Sequence, residues 1–257
     1  MLRDMDARIA SIYRHPVKGF TPERLTGATL EAGACFPCDR LYAVEDGPSG
    51  FDPAAPSHIS KMKFTVLAKI PAVAKARTAY DEASGVFSAR AEGRPDFAGD
   101  LATDAGRAGL ETWLADLLEG EIKGPLKVIE GPGAHRFMDS KSGFVSIVNL
   151  ASVRDLGQRL GMTLDPLRFR ANLYVEGWSA WVENDWTGKT LSVGGATAEV
   201  LKPIVRCAAT HVDPTTAERD VELVKALFDN YGHMFCGIYL NVTGGGEVAE
   251  GDVVAVG

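Results

Sequence analysis

The closing stretch "GGGEVAEGDVVAVG" (residues 244–257) decides between two ways of building this chain. Two short valine-containing runs flank Glu250-Gly251-Asp252, and three glycines precede them. Gly and Asp between β-branched runs are the turn chemistry of a tight hairpin. The stretch is therefore predicted to be a hairpin that closes a sheet, with glycines 244–246 serving as turn residues. Before it, from Gly161 on, come "ANLYVEG", "TLSVGG", "AEVLKP" and "GIYLNV", brief segments rich in Val, Ile, Leu or Tyr and mostly closed by Gly or Pro. Strand follows strand, with one helix expected near 218–230. A doubly wound parallel sheet would alternate strands with helices and carry a Gly-rich turn from strand into helix. Neither is present, and the spacing predicts a β-barrel.

The first half reads similarly. "RIASIYRH", "RLYAVE", "VFSAR", "KVIE" and "FVSIV" are expected strands, "EDGPSGFDPAAPSH" (45–58) an exposed loop, and 91–100 an irregular stretch. Three segments carry helical spacing. "TDAGRAGLETWLADLLEG" stops at Gly120, and "NLASVRDLGQRLG" has Asn149 as N-cap and Gly161 as stop. "AERDVELVKALFDNYG" places Val221, Val224, Leu227 and Phe228 on one face. The predicted class is α+β and β-rich, with a few peripheral helices.

With 257 residues the chain can bury a substantial core. A net charge of −7 gives no electrostatic footprint for nucleic acid, although a small basic pocket remains compatible with it. No apolar run approaches the roughly 20 residues that span a bilayer, and the start resembles no signal peptide. Cytoplasmic residence is the expectation, and with it reduced thiols.

Four cysteines then need roles. Cys35 and Cys38 in "CFPCDR" have the spacing of a zinc knuckle or a redox pair, but no second pair lies at similar spacing, and the chain continues as a strand. Cys236 enters an apolar strand and reads as a small buried hydrophobe. Cys207, in "KPIVRCAATHVDP" (202–214), sits beside Arg206, a cation that favours the thiolate, with His211 four residues on. An inert thiol, a nucleophile, half of a disulfide and a metal ligand all remain open for it. Asp213-Pro214 is expected to turn the chain after it, with Asp213 accepting a backbone hydrogen bond.

An ordered set of motifs narrows the choice. "IYRHPVKGF" (12–20), "CDRLYAVEDG" (38–47) and "DSKSGFVSIVNLASVRDL" (139–156) come first. Then "RFRANLYVEGWSAWVENDWTGKTLSVGGATAEVLKPIVRCAATHVDPTTAERD" (168–220) holds R-F-R-x-N, E-x-x-W and R-C-x-x-T-x-V-D-P. Together they resemble the MOSC family (molybdenum cofactor sulfurase C-terminal type) preceded by its β-rich N-terminal domain. That is the arrangement of the mitochondrial amidoxime-reducing component and its bacterial relatives. The resemblance implies an N-terminal domain over 1–120 and a MOSC domain over 121–257. It implies a molybdenum cofactor (Mo-molybdopterin) whose metal is bound by Cys207. Lys18, Arg40, Arg170 and Asn172 would contact pterin and phosphate, with Asp139 and Ser142 in the turn approaching the cofactor. Gly19 stands where the family often has Ser. The implied activity is reduction of the N–O bond of N-hydroxylated small molecules. No plant-type cluster of four cysteines is present, so electrons are expected from a separate ferredoxin, flavoprotein or cytochrome-type partner. The alternatives are a non-catalytic carrier of cofactor or sulfur with a Cys207 persulfide, and a zinc or redox protein using Cys35 and Cys38.

Overall fold

The alternation in "RIASIYRH" becomes a nine-residue strand, β1 (Asp6–Arg14), with Ala7, Ile9 and Ile12 buried on the core side. The computed structural model describes residues 6–140 and 145–257. Along the chain β1 is followed by β2 (Glu23–Leu25), β3 (Gly27–Leu30) and β4 (Tyr42–Asp46). A meander of β5 (Arg77–Tyr80), β6 (Val86–Arg90) and β7 (Phe97–Asp100) leads into α1 (Asp104–Leu117), and β8 (Leu126–Glu130) comes next. The rest comprises β9 (Val145–Asn149), α2 (Leu150–Leu160), β10 (Leu173–Glu176), β11 (Thr190–Val193) and β12 (Ala196–Val205). Last come α3 (Leu223–Tyr231), β13 (Phe235–Gly244), β14 (Gly246–Ala249) and β15 (Val253–Val256).

Seven strands close on themselves in the order β10-β9-β13-β12-β11-β15-β1, and β1 pairs back to β10. All neighbours are antiparallel except β9 and β10. Closure removes free sheet edges. Inward side chains of all seven strands form one core with Trp178 and Trp186, whose rings meet edge to face at 4.7 Å. Each fully buried aliphatic side chain there stabilises the fold by about 1.5–3 kcal/mol. The E-x-x-W motif belongs to this scaffold. Glu183 is fully buried and accepts from Asn149 (2.9 Å) and Ser152 (2.8 Å), while Trp186 fills the barrel.

The first half contributes a second core. β4 pairs with β8, and α1 packs with the meander around Phe87, Leu110, Leu114 and Val128. Helix ends follow the expected chemistry: Thr103 caps α1, Asn149 caps α2, and Gly161 ends α2 in the left-handed region.

Three expectations differ from the fold. β14 and β15 meet at a tight turn but do not pair with each other. β14 pairs with β3, and β15 already has β11 on one side and β1 on the other, so no edge is left for β14. The irregular 91–100 stretch ends as β7. Helix α3 begins only at Leu223, because Val212 and Arg219 first form an isolated bridge; Leu223, Ala226 and Leu227 are its buried stripe and Phe228 is 60 % exposed.

Candidate cofactor site around Cys207

Cys207 follows the end of β12 and opens a 3-10 turn, Ala208–His211. Thr210 makes that turn, donating its backbone N–H (3.0 Å) and its hydroxyl (2.9 Å) to the Cys207 carbonyl. The curl removes His211 from the face that an extended chain would share with Cys207. The His211 ring instead accepts the backbone N–H of Val224 at 3.3 Å. Asp213 accepts from the N–H groups of Thr215 (2.7 Å) and Thr216 (2.9 Å), the expected turn, and also pairs with buried Arg168 at 2.7 Å.

Arg206 does not serve the thiol beside it. Its fork donates to the carbonyls of Cys236 (2.7 Å) and Phe169 (2.7 Å) and lies over the Phe169 ring. The cation that acts on Cys207 is Lys61, from the short turn Lys61–Lys63, which lines the same cavity. Burial lowers the Lys61 pKa, but Cys207 and Asp139 outweigh it and raise it overall.

The half-buried Cys207 faces a cavity of about 490 Å³. Lys18, Arg40, Lys61, Arg170, Lys202 and Arg206 line it, and Asp139 is the one carboxylate among its described lining residues. Lys18, 2 % exposed, donates to the Phe137 carbonyl at 2.9 Å and to the Asp139 carboxylate. Arg40 is buried and in the left-handed region, tied to fully buried Asp39; Asp39 in turn accepts the His15 backbone N–H at 2.6 Å. Arg170, also left-handed, donates to the Phe20 carbonyl at 2.6 Å. Burial, and then neighbouring Arg40, lower its pKa to about 10. Burial opposes the charge on Asp139, yet Lys18, Arg40 and Lys61 hold its carboxyl well below the ordinary carboxylate range.

The structure thus brings Lys18, Arg40, Asp139, Arg170 and Cys207 to one cavity. Asn172 lies behind it. Fully buried, it accepts from the Ser146 backbone (3.1 Å) and hydroxyl (2.9 Å) and donates to the Tyr13 carbonyl, binding β1 to β9. Ser142 lies outside the described residues. Lys61, Lys202 and Tyr239 join the cavity without having been singled out from sequence. In "SHISKMKF" only a serine ahead of a short turn marks the Lys61 neighbourhood.

Gly19 lines the same cavity at φ +89°, and a Cβ there would lie 2.7 Å from the Thr65 carbonyl oxygen and 2.8 Å from the Val66 Cα. That close approach excludes the serine frequent at this position of the motif.

Cys35 and Cys38 line a larger groove of about 1440 Å³, which none of the described predicted cofactor residues touches, and Cys35 also borders a smaller cavity with Lys18. Burial raises both thiol pKa values, that of Cys38 to about 11 with help from Glu82. Among the described residues no three His, Cys, Asp or Glu side chains are grouped to hold a metal ion. Cys236 is wholly buried beneath α2 and α3, and burial pushes its thiol to about 12. No helix among the described residues is long and apolar enough to cross a membrane.

The chain matches two known family models. Residues 134–255 match the MOSC domain and residues 6–122 the MOSC N-terminal beta barrel domain, so the chain belongs to the MOSC-domain proteins. It is 34 % identical over 140 residues to a molybdenum cofactor sulfurase of Caenorhabditis elegans, covering 51 % of this chain and 18 % of that protein. A molybdenum cofactor sulfurase of Caenorhabditis briggsae is 36 % identical over 111 residues, covering 40 % and 15 %. The chain therefore spans less than a fifth of the length of these relatives. Among solved structures, the YuaD protein of Bacillus subtilis aligns over 98 % of this chain and 96 % of its own, at 13 % identity and a TM-score of 0.45. YiiM of Geobacillus stearothermophilus aligns over 45 % and 54 %, at 19 % identity and 0.36.

Proposed function

We propose that this protein is a molybdenum-cofactor-dependent reductase of N-hydroxylated compounds. The observation that carries the reading is a half-buried thiol, Cys207, in a cavity walled by lysines and arginines with one carboxylate. These residues fit the group. A phosphorylated pterin needs converging cations, and a soft thiolate suits a metal held by an organic cofactor. Cys207 Sγ holds the metal. Lys18, Arg40 and Arg170 neutralise the pterin phosphate, and Asn172 acts from behind by fixing the strand that carries Ser146. Lys61 keeps a proton and a positive charge beside the sulfur. When bound, the cofactor supplies two electrons to the N–O bond; with two protons, the N–OH group becomes N–H and water. The electrons reach the site from a separate ferredoxin, flavoprotein or cytochrome-type protein.

A second reading is favoured by the name of the curated relatives, molybdenum cofactor sulfurase. In it Cys207 carries a persulfide and the protein stores or delivers cofactor or sulfur without reducing a substrate.

The test is molybdenum and pterin analysis of the purified protein, followed by reduction of benzamidoxime with an artificial electron donor. Molybdenum near one per chain that is lost in Cys207→Ala, together with turnover, supports the reductase. Loaded protein inert towards amidoximes and hydroxylamines supports the carrier, and zinc without pterin removes both.

A further inference from the structure

The groove of about 1440 Å³ runs between the β3–β14 ribbon and the outer side of β5 and β6, where Ala79 and Ser88 line it. It is larger than the roughly 300–1,000 Å³ of small-molecule pockets. One of its walls, β3, is an unprotected sheet edge. β3 pairs with β14 on one side and with no strand on the other, and no backbone hydrogen bond joins Gly27–Leu30 to any other described segment. The far side of β14, by contrast, is engaged where Gly195 donates to the Glu247 carbonyl at 2.8 Å. Natural edges are blunted by lysine, proline, a bulge or a covering element. The strand Gly-Ala-Thr-Leu carries no charge and no proline, and its register with β14 is unbroken.

Charge adds to the open edge. Glu23, Glu31, Asp81, Glu82 and Glu247 line the groove against Arg14 and Arg136. Arg14 is already neutralised by Glu23 at 2.8 Å and by Glu82. Glu31, directly after β3, and Glu247, opposite Thr29, are exposed and form no ion pair among the described residues. An excess of carboxylates therefore surrounds the edge, a field that attracts cations and repels acidic chains.

We propose that this groove docks an extended, lysine- or arginine-bearing segment of a partner polypeptide, which adds as a strand to the free edge of β3 while its cations face Glu31 and Glu247. Main-chain hydrogen bonds to β3 give the affinity, and the carboxylates select the sequence. Side chains alternate along such a segment, so every second position meets the carboxylates. Gly27, Ala28 and Ala79 are small, which leaves room for a backbone to approach. Docking there requires no cofactor at Cys207.

The test titrates the full chain with a fluorescein-labelled peptide of about ten alternating lysines and valines, read by fluorescence anisotropy at about 0.15 M salt. The comparison probes are the glutamate–valine peptide, a lysine–valine peptide with every backbone nitrogen methylated, and spermine. The methylated peptide keeps the charge and loses the donors. The lysine–valine peptide is expected to bind about tenfold more tightly than either comparison peptide and to shift the amide resonances of Gly27–Leu30. The double variant Glu31→Lys with Glu247→Lys is expected to weaken it about tenfold. Glu199→Lys, an exposed carboxylate on β12 outside the groove, should leave it unchanged. Urea midpoints verify that the variants fold, and where one does not, the peptides on the parent chain decide alone. No saturable binding, equal binding of the methylated peptide, or a loss no greater in the double variant than in Glu199→Lys overturns the proposal. Spermine that displaces the peptide at equal concentration of charge also overturns it, assigning the groove to small polycations.

Discussion

Lys18 and Asp139 form an ion pair on the wall of the Cys207 cavity, the lysine almost wholly buried and the carboxylate about half exposed. Burial lowers the Lys18 pKa, with Asp139 opposing it. Lys18→Met is expected to weaken binding of inorganic pyrophosphate about tenfold, the loss of one charge-assisted contact. Asp139→Asn, which removes the carboxylate facing the anion, is expected to strengthen it several-fold. Calorimetric titration of the two variants reads both; equal affinities would remove the cavity's anion-binding role.

Gly19 is fixed by the backbone of Thr65 and Val66. Gly19→Ser combines a positive φ with a backbone clash and is expected to destabilise the protein by about 2 kcal/mol or more. The urea midpoint should fall accordingly. Gly33→Ser, also at positive φ but with nothing within 4 Å of its Cβ, should cost less.

His15 is fully buried behind the Asp39–Arg40 pair, its Nδ1 3.5 Å from Asp39. Burial, and then Arg170, depress its pKa from 6.5 to about 3. The folded imidazole is therefore neutral across a window in which the unfolded one takes a proton. Its contribution to stability is complete above 6.5 and is lost as the pH falls towards 3, by at most about 1.4 kcal/mol per pH unit. His15→Asn should flatten that part of the stability profile measured by denaturant titration. A profile as steep as the parent's would refute the buried neutral histidine.

Thiol reactivity separates the cysteines. With Cys38 raised to about 11 and Cys236 to about 12, both should resist iodoacetamide at pH 7 in the folded protein. Mass mapping should also find Cys35 and Cys38 reduced after mild oxidation. Rapid formation of a Cys35–Cys38 disulfide would revive a redox role for that pair.

Much of the barrel could be read locally, because alternating apolar residues and Gly stops act within one strand or helix. Asn149 and Gly161 bound α2 for that reason. Pairing was less legible: β14 joins β3 and β15 joins β1, partners set by topology across the chain. The site divides in the same way. Arg170 and Asn172, two apart, would share a face of a regular strand. The left-handed turn at Arg170 breaks that alternation, sending Arg170 to the cavity and Asn172 into the wall. Lys61 carries no periodicity at all and reaches Cys207 only through tertiary folding.

The pairing of Asp6 with Ala255 has a consequence for how the molecule is made. The first stave of the barrel emerges from the ribosome long before the strand that must lie beside it. The α1 meander, built from neighbouring residues, can settle meanwhile, whereas β1 must keep its apolar side chains from other partners until β15 arrives. Closing so long a loop costs entropy before any contact repays it, so the step that completes the barrel is set late and slow in folding.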